Sequence, residues 1–454
     1  MHFQEEAAHC TFPEELAAKY LSKYFANQKI QYPINPFQML KDEGILFSLS
    51  NFKKLEGVYI PASEENDIPT VGINANRPIT RQRFTAAHEL CHHFHDANNK
   101  EITCPMFGKK THIEFFADKF AAALLMPIEE LKSQVNRRKD TRGEISFDDV
   151  LEIAEYFGVS FEACVFRIAY QIHAIPGNVE AYELKRRIKK YRPETIRKAK
   201  NMSYFKLYAD LVDTFEEQLT FQPTDHARYL FMNSYIYNDS RMEGLEITQE
   251  QAAEIVTDLR LNMQNSSYCN DENEVFLSIA GHYDIYQEIF AEPVKEYISV
   301  YDTMEINKKL FSHYPYPDFG GTPRQNNTLV IGSKFETTDY NEIFAELTKL
   351  DEIVRNFYSR RKEIPMSEYI QHVARVHHKM TVIHPFSDGN GRTSRAFMNV
   401  QLVRAGIVPI YIRVNDKKEY IQALEKADIT SDYRDLYELT FRLIIRSYVE
   451  LSQQ

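Results

Sequence analysis

Apolar and polar positions divide the chain into an opening helix, a short run of strands and then long helical tracts. Residues 14–28 read as a helix. The segments "GILFSLSNF", "EGVYIPA" and "IPTVGINA" alternate apolar with polar positions between turn signals, which predicts a small sheet. From 80 to 175 the pattern is helical, interrupted by "DANNKEITCPMFGKKTH", expected to be a polar loop. From 203 onward helices dominate, with one hairpin expected around "RQNNTLVIGSKF" (324–335). The fold class expected is mainly α with a small β-sheet in the N-terminal domain.

A chain of 454 residues is too long for one ordinary core, so two or three domains are expected. Its 43% hydrophobic and 26% charged residues are those of a globular protein. The longest apolar run, "FAAALLM" (120–126), is too short to span a bilayer, so no membrane is expected. The opening "MHFQEEAAHC" has acids where a signal peptide has positive charge. Five scattered cysteines without a CxxC pair suit a reducing compartment. Both observations point to the cytoplasm.

A net charge of −11 argues against direct nucleic-acid binding by the whole molecule. The basic run "KRRIKKYRPETIRKAK" (185–200), interrupted by Pro193, reads as a solvated connecting helix. Residues 148–168 have helix-turn-helix character, with Gly158 at the turn and Ser160 as N-cap. Asp148, Asp149, Glu152, Glu155 and Glu162 would face phosphates with the wrong sign, so a packing or docking element is expected there.

Candidate chemistry begins in "AAHELCHHFHD" (86–96). Residues four apart share a helical face, so His88 and His92 present their imidazoles together, with Glu89 one position round. This HExxH spacing suits zinc, with two nitrogen ligands and a carboxylate placed to accept a proton from water. His93 and His95 face elsewhere, in surface or supporting roles. A third ligand is sought in "IEFFADKFAAALLMP" (113–127), where Glu114 shares a face with Ala117, Asp118 and Ala121. Small alanines there allow close helix approach.

Together with "VLEIAEYFGVSFEACVFRI", these segments resemble the ImmA/IrrE family of zinc metallopeptidases over roughly residues 10–175. The resemblance implies a zincin-like α+β domain, with His88, His92 and Glu114 as Zn²⁺ ligands and Glu89 as general base. It also implies a repressor or antitoxin-like protein substrate. Cys91 departs from the glycine common at that position and places a soft atom near the metal.

A second signature lies in "HPFSDGNGRTSR" (384–395). Gly389-Asn390-Gly391 is a bend opening a helix, and a helix N-terminus with glycine access is an anion site. Arg392 and Arg395 lie on one face and can grip phosphate oxygens. Asp388 is placed to hold Mg²⁺ against them. His384 is placed as a general base. Together these residues predict a site for a nucleoside triphosphate with its metal.

The stretch matches the Fic family core HxFx(D/E)GNGRxxR without a mismatch, and the resemblance covers about 205–454. It implies an all-α core with a β-hairpin flap, which would hold the target by strand addition. It further implies transfer of AMP from ATP to a Ser, Thr or Tyr hydroxyl on a target protein. Upstream, "NDSRMEGLEIT" (238–248) is similar to the family's inhibitory helix, whose glutamate, here Glu243 before Gly244, pairs with Arg395. Asp239 departs from the Ser or Thr of that pattern, with Ser240 one residue away.

Domain boundaries expected are 1–178 for the peptidase-like domain (helix-turn-helix-like 146–170), 179–204 for a basic linker and 205–454 for the Fic domain. The inhibitory helix is expected around 230–244. Two other readings stay open: a regulatory, non-catalytic zinc domain, and a Fic domain that removes AMP or works in both directions. The pairing is associated with bacterial toxin–antitoxin, stress or phage-defence settings. Oligomeric state is left open, a homodimer included.

Overall fold

The computed structural model describes all residues except 1, 27, 64–66, 98–101, 107–110, 262–272, 293–294, 316–319, 331–334 and 453–454. The chain divides into two compact units, Met1–Thr214 and Phe215–Gln454.

The first unit opens with α1 (His2–Ala8), α2 (Pro13–Phe25) and α3 (Pro36–Asp42). Strands β1 (Leu46–Ser50), β2 (Leu55–Ile60), β3 (Thr70–Asn74) and β4 (Ile102–Pro105) form one sheet in the order β1-β3-β2-β4. β1 runs parallel to β3, whereas β2 is antiparallel to both β3 and β4. β4 lies inside the segment expected to be a polar loop. Its ladder with β2 supplies the backbone hydrogen bonds, and four residues are too few for apolar alternation to reveal.

Helices α4 (Ile79–His95) and α5 (His112–Leu125) pack on each other, α4 also against β2 and β3, and α5 against α2. Both bury alanines, among them Ala86, Ala87, Ala117 and Ala121, and such small side chains let the two axes come close. Thr111 caps α5 by accepting from the Glu114 N–H (3.3 Å). Arg83 on α4 is fully buried and donates to the carbonyls of Gly158 (3.0 Å) and Ile34 (2.5 Å).

The unit continues with α6 (Ile128–Asn136), α7 (Phe147–Phe157), α8 (Phe161–Arg167), α9 (Ala181–Tyr191), α10 (Pro193–Ala199) and α11 (Phe205–Thr214). Gly158 ends α7 in the left-handed region at φ +63°, and Ser160 caps α8 through the Ala163 N–H (3.2 Å). The basic run breaks at Pro193 into α9 and α10; Lys185, Arg186, Lys189 and Lys190 are exposed, as a solvated helix would have them. Arg197 is buried against Glu155 (3.1 Å), while Lys200 meets Asp148 (3.3 Å) and Glu152 (3.4 Å). Arg197 and Lys200 therefore close on the acidic face of α7.

The second unit comprises α12 (Glu216–Leu219), α13 (Asp225–Met242), α14 (Gln249–Arg260), α15 (Glu274–Ile289), α16 (Asp302–Leu310), α17 (Ile343–Ser359), α18 (Met366–Ile383), α19 (Asn390–Arg404), α20 (Lys417–Thr430) and α21 (Arg434–Ser452). α19 packs against α15, α16 and α18, and its residues 392–402 are all buried. The unit is all-helical, with no strand among the described residues. Of the hairpin expected at 324–335, residues 331–334 lie outside the described residues. Its described flanks are joined where Thr337 Oγ1 donates to the Thr328 carbonyl (2.6 Å). No described helix is long and apolar enough to cross a membrane.

Candidate metal centre and phosphate cradle

The close packing of α4 and α5 brings three of the expected residues of the first unit together. His88 Nε2 and His92 Nε2 face each other at 3.1 Å. Glu114 approaches both, with Oε2 3.3 Å from His88 Nε2 and Oε1 3.5 Å from His92 Nε2. Four ligands around a zinc ion at about 2.0–2.1 Å stand roughly 3.3 Å apart, so these separations fit that ion. The outward nitrogens are also occupied. His88 Nδ1 lies 3.1 Å from Asp118, and His92 Nδ1 lies 2.9 Å from Asp96. Such carboxylates fix the ring orientation of metal-bound histidines and raise their basicity.

Neither acid was singled out by sequence reasoning as a partner of the histidines, although Asp96 stands four residues beyond His92 and Asp118 four beyond Glu114. His95 bonds the second oxygen of Asp96 (2.8 Å), a supporting role. His93 is a core histidine between Gln4 and Tyr59, and burial pushes its pKa down to about 4.

Electrostatics in this cluster are those of a cation site. Burial alone would lower the pKa values of His88 and His92, yet both are raised by the surrounding carboxylates. Burial would raise Glu114, but bonds from both histidines hold it well below the usual carboxylate range. Glu89 is fully buried, neither of its oxygens has a hydrogen-bond partner among the described residues, and desolvation pushes it up to about 7. Buried carboxylate oxygens beside converging imidazoles are a donor set that fits a cation with its water. Cys91 is buried, but the thiol that joins the cluster is that of Cys104, whose Sγ lies within 4.8 Å of donors on His88 and Glu114.

In the second unit, the 384–395 segment turns from α18 into α19. His384 caps α18 in the left-handed region at φ +51°, a conformation uncommon outside glycine. Arg324, which sequence reasoning missed, pins it by donating Nε–H to the His384 carbonyl (2.8 Å). Burial lowers the His384 pKa below its ordinary 6.5. Asn390 clamps the bend, accepting from the Phe386 N–H (2.9 Å) and donating to the Phe386 carbonyl (2.8 Å). Asn307 donates to the Asp388 carbonyl (3.0 Å) and to Thr393 Oγ1 (3.1 Å).

Gly389 takes φ +75°, and a Cβ there would come within 2.6 Å of Leu310. The Asp388 carboxylate is exposed, whereas Arg392 is buried, its Nε without a hydrogen-bond partner among the described residues. The first helical bond of α19 runs from Thr393 N–H to the Gly389 carbonyl (2.8 Å), so the preceding N–H groups are those a helix leaves for an external anion.

Arg395 is held by two acids of α13. Its Nε donates to Asp239 Oδ1 (2.5 Å) and its NH2 to Glu243 Oε1 (2.6 Å). The second oxygen of Asp239 takes His282 Nε2 at 3.1 Å. Burial notwithstanding, Arg395 and His282 hold Asp239 well below the usual carboxylate range. The Ser240 hydroxyl is buried without a hydrogen-bond partner among the described residues, so anchoring falls to Asp239. Glu243 is also a helix end, followed by Gly244 at φ +93°, and Lys417 caps α13 through the Met242 carbonyl (2.6 Å). A Cβ on Gly391 would stand 3.5 Å from Glu243 Oε1, which places that carboxylate over the first turn of α19.

Residues 41–169 match the family model of the IrrE N-terminal-like domain, and residues 297–402 match that of the Fic/DOC family. Among curated relatives, Protein adenylyltransferase Fic of Aedes aegypti is 29% identical over 229 residues, 48% of this chain and 42% of that protein. Its counterpart in Nematostella vectensis is 27% identical over 194 residues, 43% of each. The chain thus spans less than half the length of the curated relatives it matches. Solved structures similar to it include Fic-1 (residues 134–508) from C. elegans, at 20% identity and TM-score 0.45, covering 67% of this chain and 86% of that one. Another is a Fic domain containing signaling protein from Bacteroides thetaiotaomicron, at 23% identity and TM-score 0.41, covering 54% and 94%. This chain carries an IrrE N-terminal-like domain followed by a domain of the Fic/DOC family.

Proposed function

We propose that the second unit is a protein adenylyltransferase, autoinhibited by Glu243. The observation that carries the reading is the convergence of His384, Asp388, the glycine bend, Arg392 and Arg395 at one helix N-terminus. The curated relatives, named for the same activity, support it. The α19 N–H groups, Arg392 and Arg395 hold the triphosphate of ATP, with Asp388 placed for Mg²⁺. Bound magnesium would supply charge neutralisation between phosphate oxygens.

His384 accepts the proton of a Ser, Thr or Tyr hydroxyl on the target. The hydroxyl oxygen bonds to the α-phosphorus, the bond to the bridging oxygen breaks, and pyrophosphate leaves. AMP remains on the target. In the resting protein the Glu243 carboxylate lies where an anion would meet Arg395, so ATP binds without productive placement of its γ-phosphate.

For the first unit we infer a zinc-dependent endopeptidase acting on a repressor or antitoxin-like protein, with a cytoplasmic setting for both activities. His88, His92 and Glu114 hold the metal, Asp118 and Asp96 orient the rings, and Glu89 holds the proton released from water. Bound zinc would supply a Lewis acid at that point. A non-catalytic regulatory reading is favoured by one observation, the thiol of Cys104 beside the cluster. For the transferase, mass spectrometry of proteins gaining AMP with Glu243→Gly but not with added His384→Ala tests the proposal. Absence of any adduct refutes it. For the peptidase, digestion of candidate repressors by wild type but not Glu89→Gln is expected, and identical digests refute it.

A further inference from the structure

β4 places a thiol against the metal centre. Within its ladder, Cys104 stands directly opposite Gly57 of β2. Cross-strand partners in an antiparallel pair share a face of the sheet. The face in question is the one toward α4, because a Cβ added to Gly57 would come within 2.4 Å of Glu89 Oε1 and 2.5 Å of Thr85 Cγ2. The register shifts between Leu55 and Gly57, so Glu56 drops out of the ladder and pairs with Arg77 (2.6 Å). That bulge sets the alignment of glycine with cysteine.

Two consequences follow from the alignment. Gly57 leaves the space beside Glu89 clear, and Cys104, with a relative exposure of 3%, points into the same interior. Its Sγ falls within 4.8 Å of donor atoms on both His88 and Glu114. A thiol whose only task was packing would need neither this contact with a ligand imidazole nor a bare glycine across the ladder.

We propose that the Cys104 thiolate is a fourth protein ligand of the metal, joining His88, His92 and Glu114 and closing the position a working peptidase keeps open. The proposal rests on reading the cluster as a metal centre. Structural zinc sites have four protein ligands, catalytic ones three and an open position, and a thiolate favours zinc over harder ions. While Cys104 is bound Glu89 faces no water, so cleavage by the wild-type chain proceeds only from the fraction in which the thiol has withdrawn. β4 is an edge strand, paired only with β2, so withdrawing Cys104 breaks one ladder and leaves the other strands paired.

The test uses the full chain loaded with cobalt(II) in place of zinc. Wild type should bind one cobalt and show a thiolate-to-cobalt charge-transfer band in the near ultraviolet. Cys104→Ser should lose that band, still bind cobalt at least ~10-fold more weakly (the lower figure for disturbing a ligand's supporting partner), and release one fewer proton on binding. Cys91→Ser should keep the band. Cobalt bound without a charge-transfer band in wild type would overturn the assignment, as would a band that survives Cys104→Ser and disappears with Cys91→Ser. Wild type and Cys91→Ser decide the matter even if Cys104→Ser fails to fold. Failure of wild type to bind cobalt at all would overturn the metal-centre reading itself, and this assignment with it.

Discussion

Replacing Glu243 with glycine should convert a nearly silent transferase into an active one, by an amount that the geometry bounds. In the resting protein Arg395 has two carboxylate partners of unequal character. Asp239 is 5% exposed and bonds Nε, whereas Glu243 is 36% exposed and bonds NH2. A phosphate oxygen arriving at Arg395 therefore displaces Glu243 and leaves Asp239 in place. A hydrogen bond between charged groups contributes about 1.5–3 kcal/mol, and partial exposure puts this one at about 1.5. If the carboxylate stays near the incoming phosphate, like-charge repulsion at ~4 Å adds up to about 4 kcal/mol at an effective dielectric of ~20. At 1.4 kcal/mol per tenfold, the block amounts to roughly 10- to 10⁴-fold.

The assay is self-labelling at saturating Mg-ATP in wild type, Glu243→Gly and Glu243→Gly/Arg395→Ala. Expected is a rise of that size in the single variant and a return to the floor in the double. Equal labelling of wild type and Glu243→Gly would refute the reasoning and leave Glu243 as a helix end only. The second acid gives an independent check. Removing Asp239 as well as Glu243 leaves a buried guanidinium without any carboxylate, which costs about 3–5 kcal/mol. For a unit of this size Tm should fall by roughly 6–20 °C, at about 2–4 °C per kcal/mol. Mg-ATP should recover part of that loss by ligand linkage.

His384→Ala should lower AMP transfer about 10²- to 10⁴-fold while ATP binding survives, and unchanged turnover of labelled ATP would exclude it as base. Because burial holds His384 below 6.5 and only its neutral form accepts a proton, the acid limb of the kcat/KM profile should have its midpoint below pH 6.5. A midpoint at or above 6.5 would contradict that environment. His88→Ala should abolish stoichiometric zinc by elemental analysis without altering AMP transfer; full retention of zinc would place the metal elsewhere.

Local periodicity made both sites legible where their residues share one helix or one bend. His88 and His92 are four apart on α4, and residues 384–395 are contiguous, so spacing alone placed their side chains together. Glu114 was legible because the alanines of α5 signalled close packing. What stayed hidden depends on strand register. The pairing of Gly57 with Cys104 arises from a bulge between segments far apart in sequence, and nothing in "ITCP" marks a strand. Cys91, adjacent to the candidate ligand His92, drew attention as the soft atom, while the thiol that reaches the cluster sits on β4.

Asp239 shows a different failure, one of weighting. Set against a pattern with Ser or Thr, it read as a departure; set against helical geometry, Asp239 and Glu243 are one turn apart and share a face. Two acids on one face of α13 can grip one guanidinium at two of its nitrogens, which a hydroxyl at 239 could not do with charge. The substitution therefore changes how Arg395 is held: Asp239 fixes it against His282, and Glu243 is the partner left for an anion to replace. On the proposed autoinhibition, relief requires the end of α13 to give way at Glu243 while its buried turn stays anchored. Gly244, the helix terminus and the lysine cap at Met242 all fall at that end.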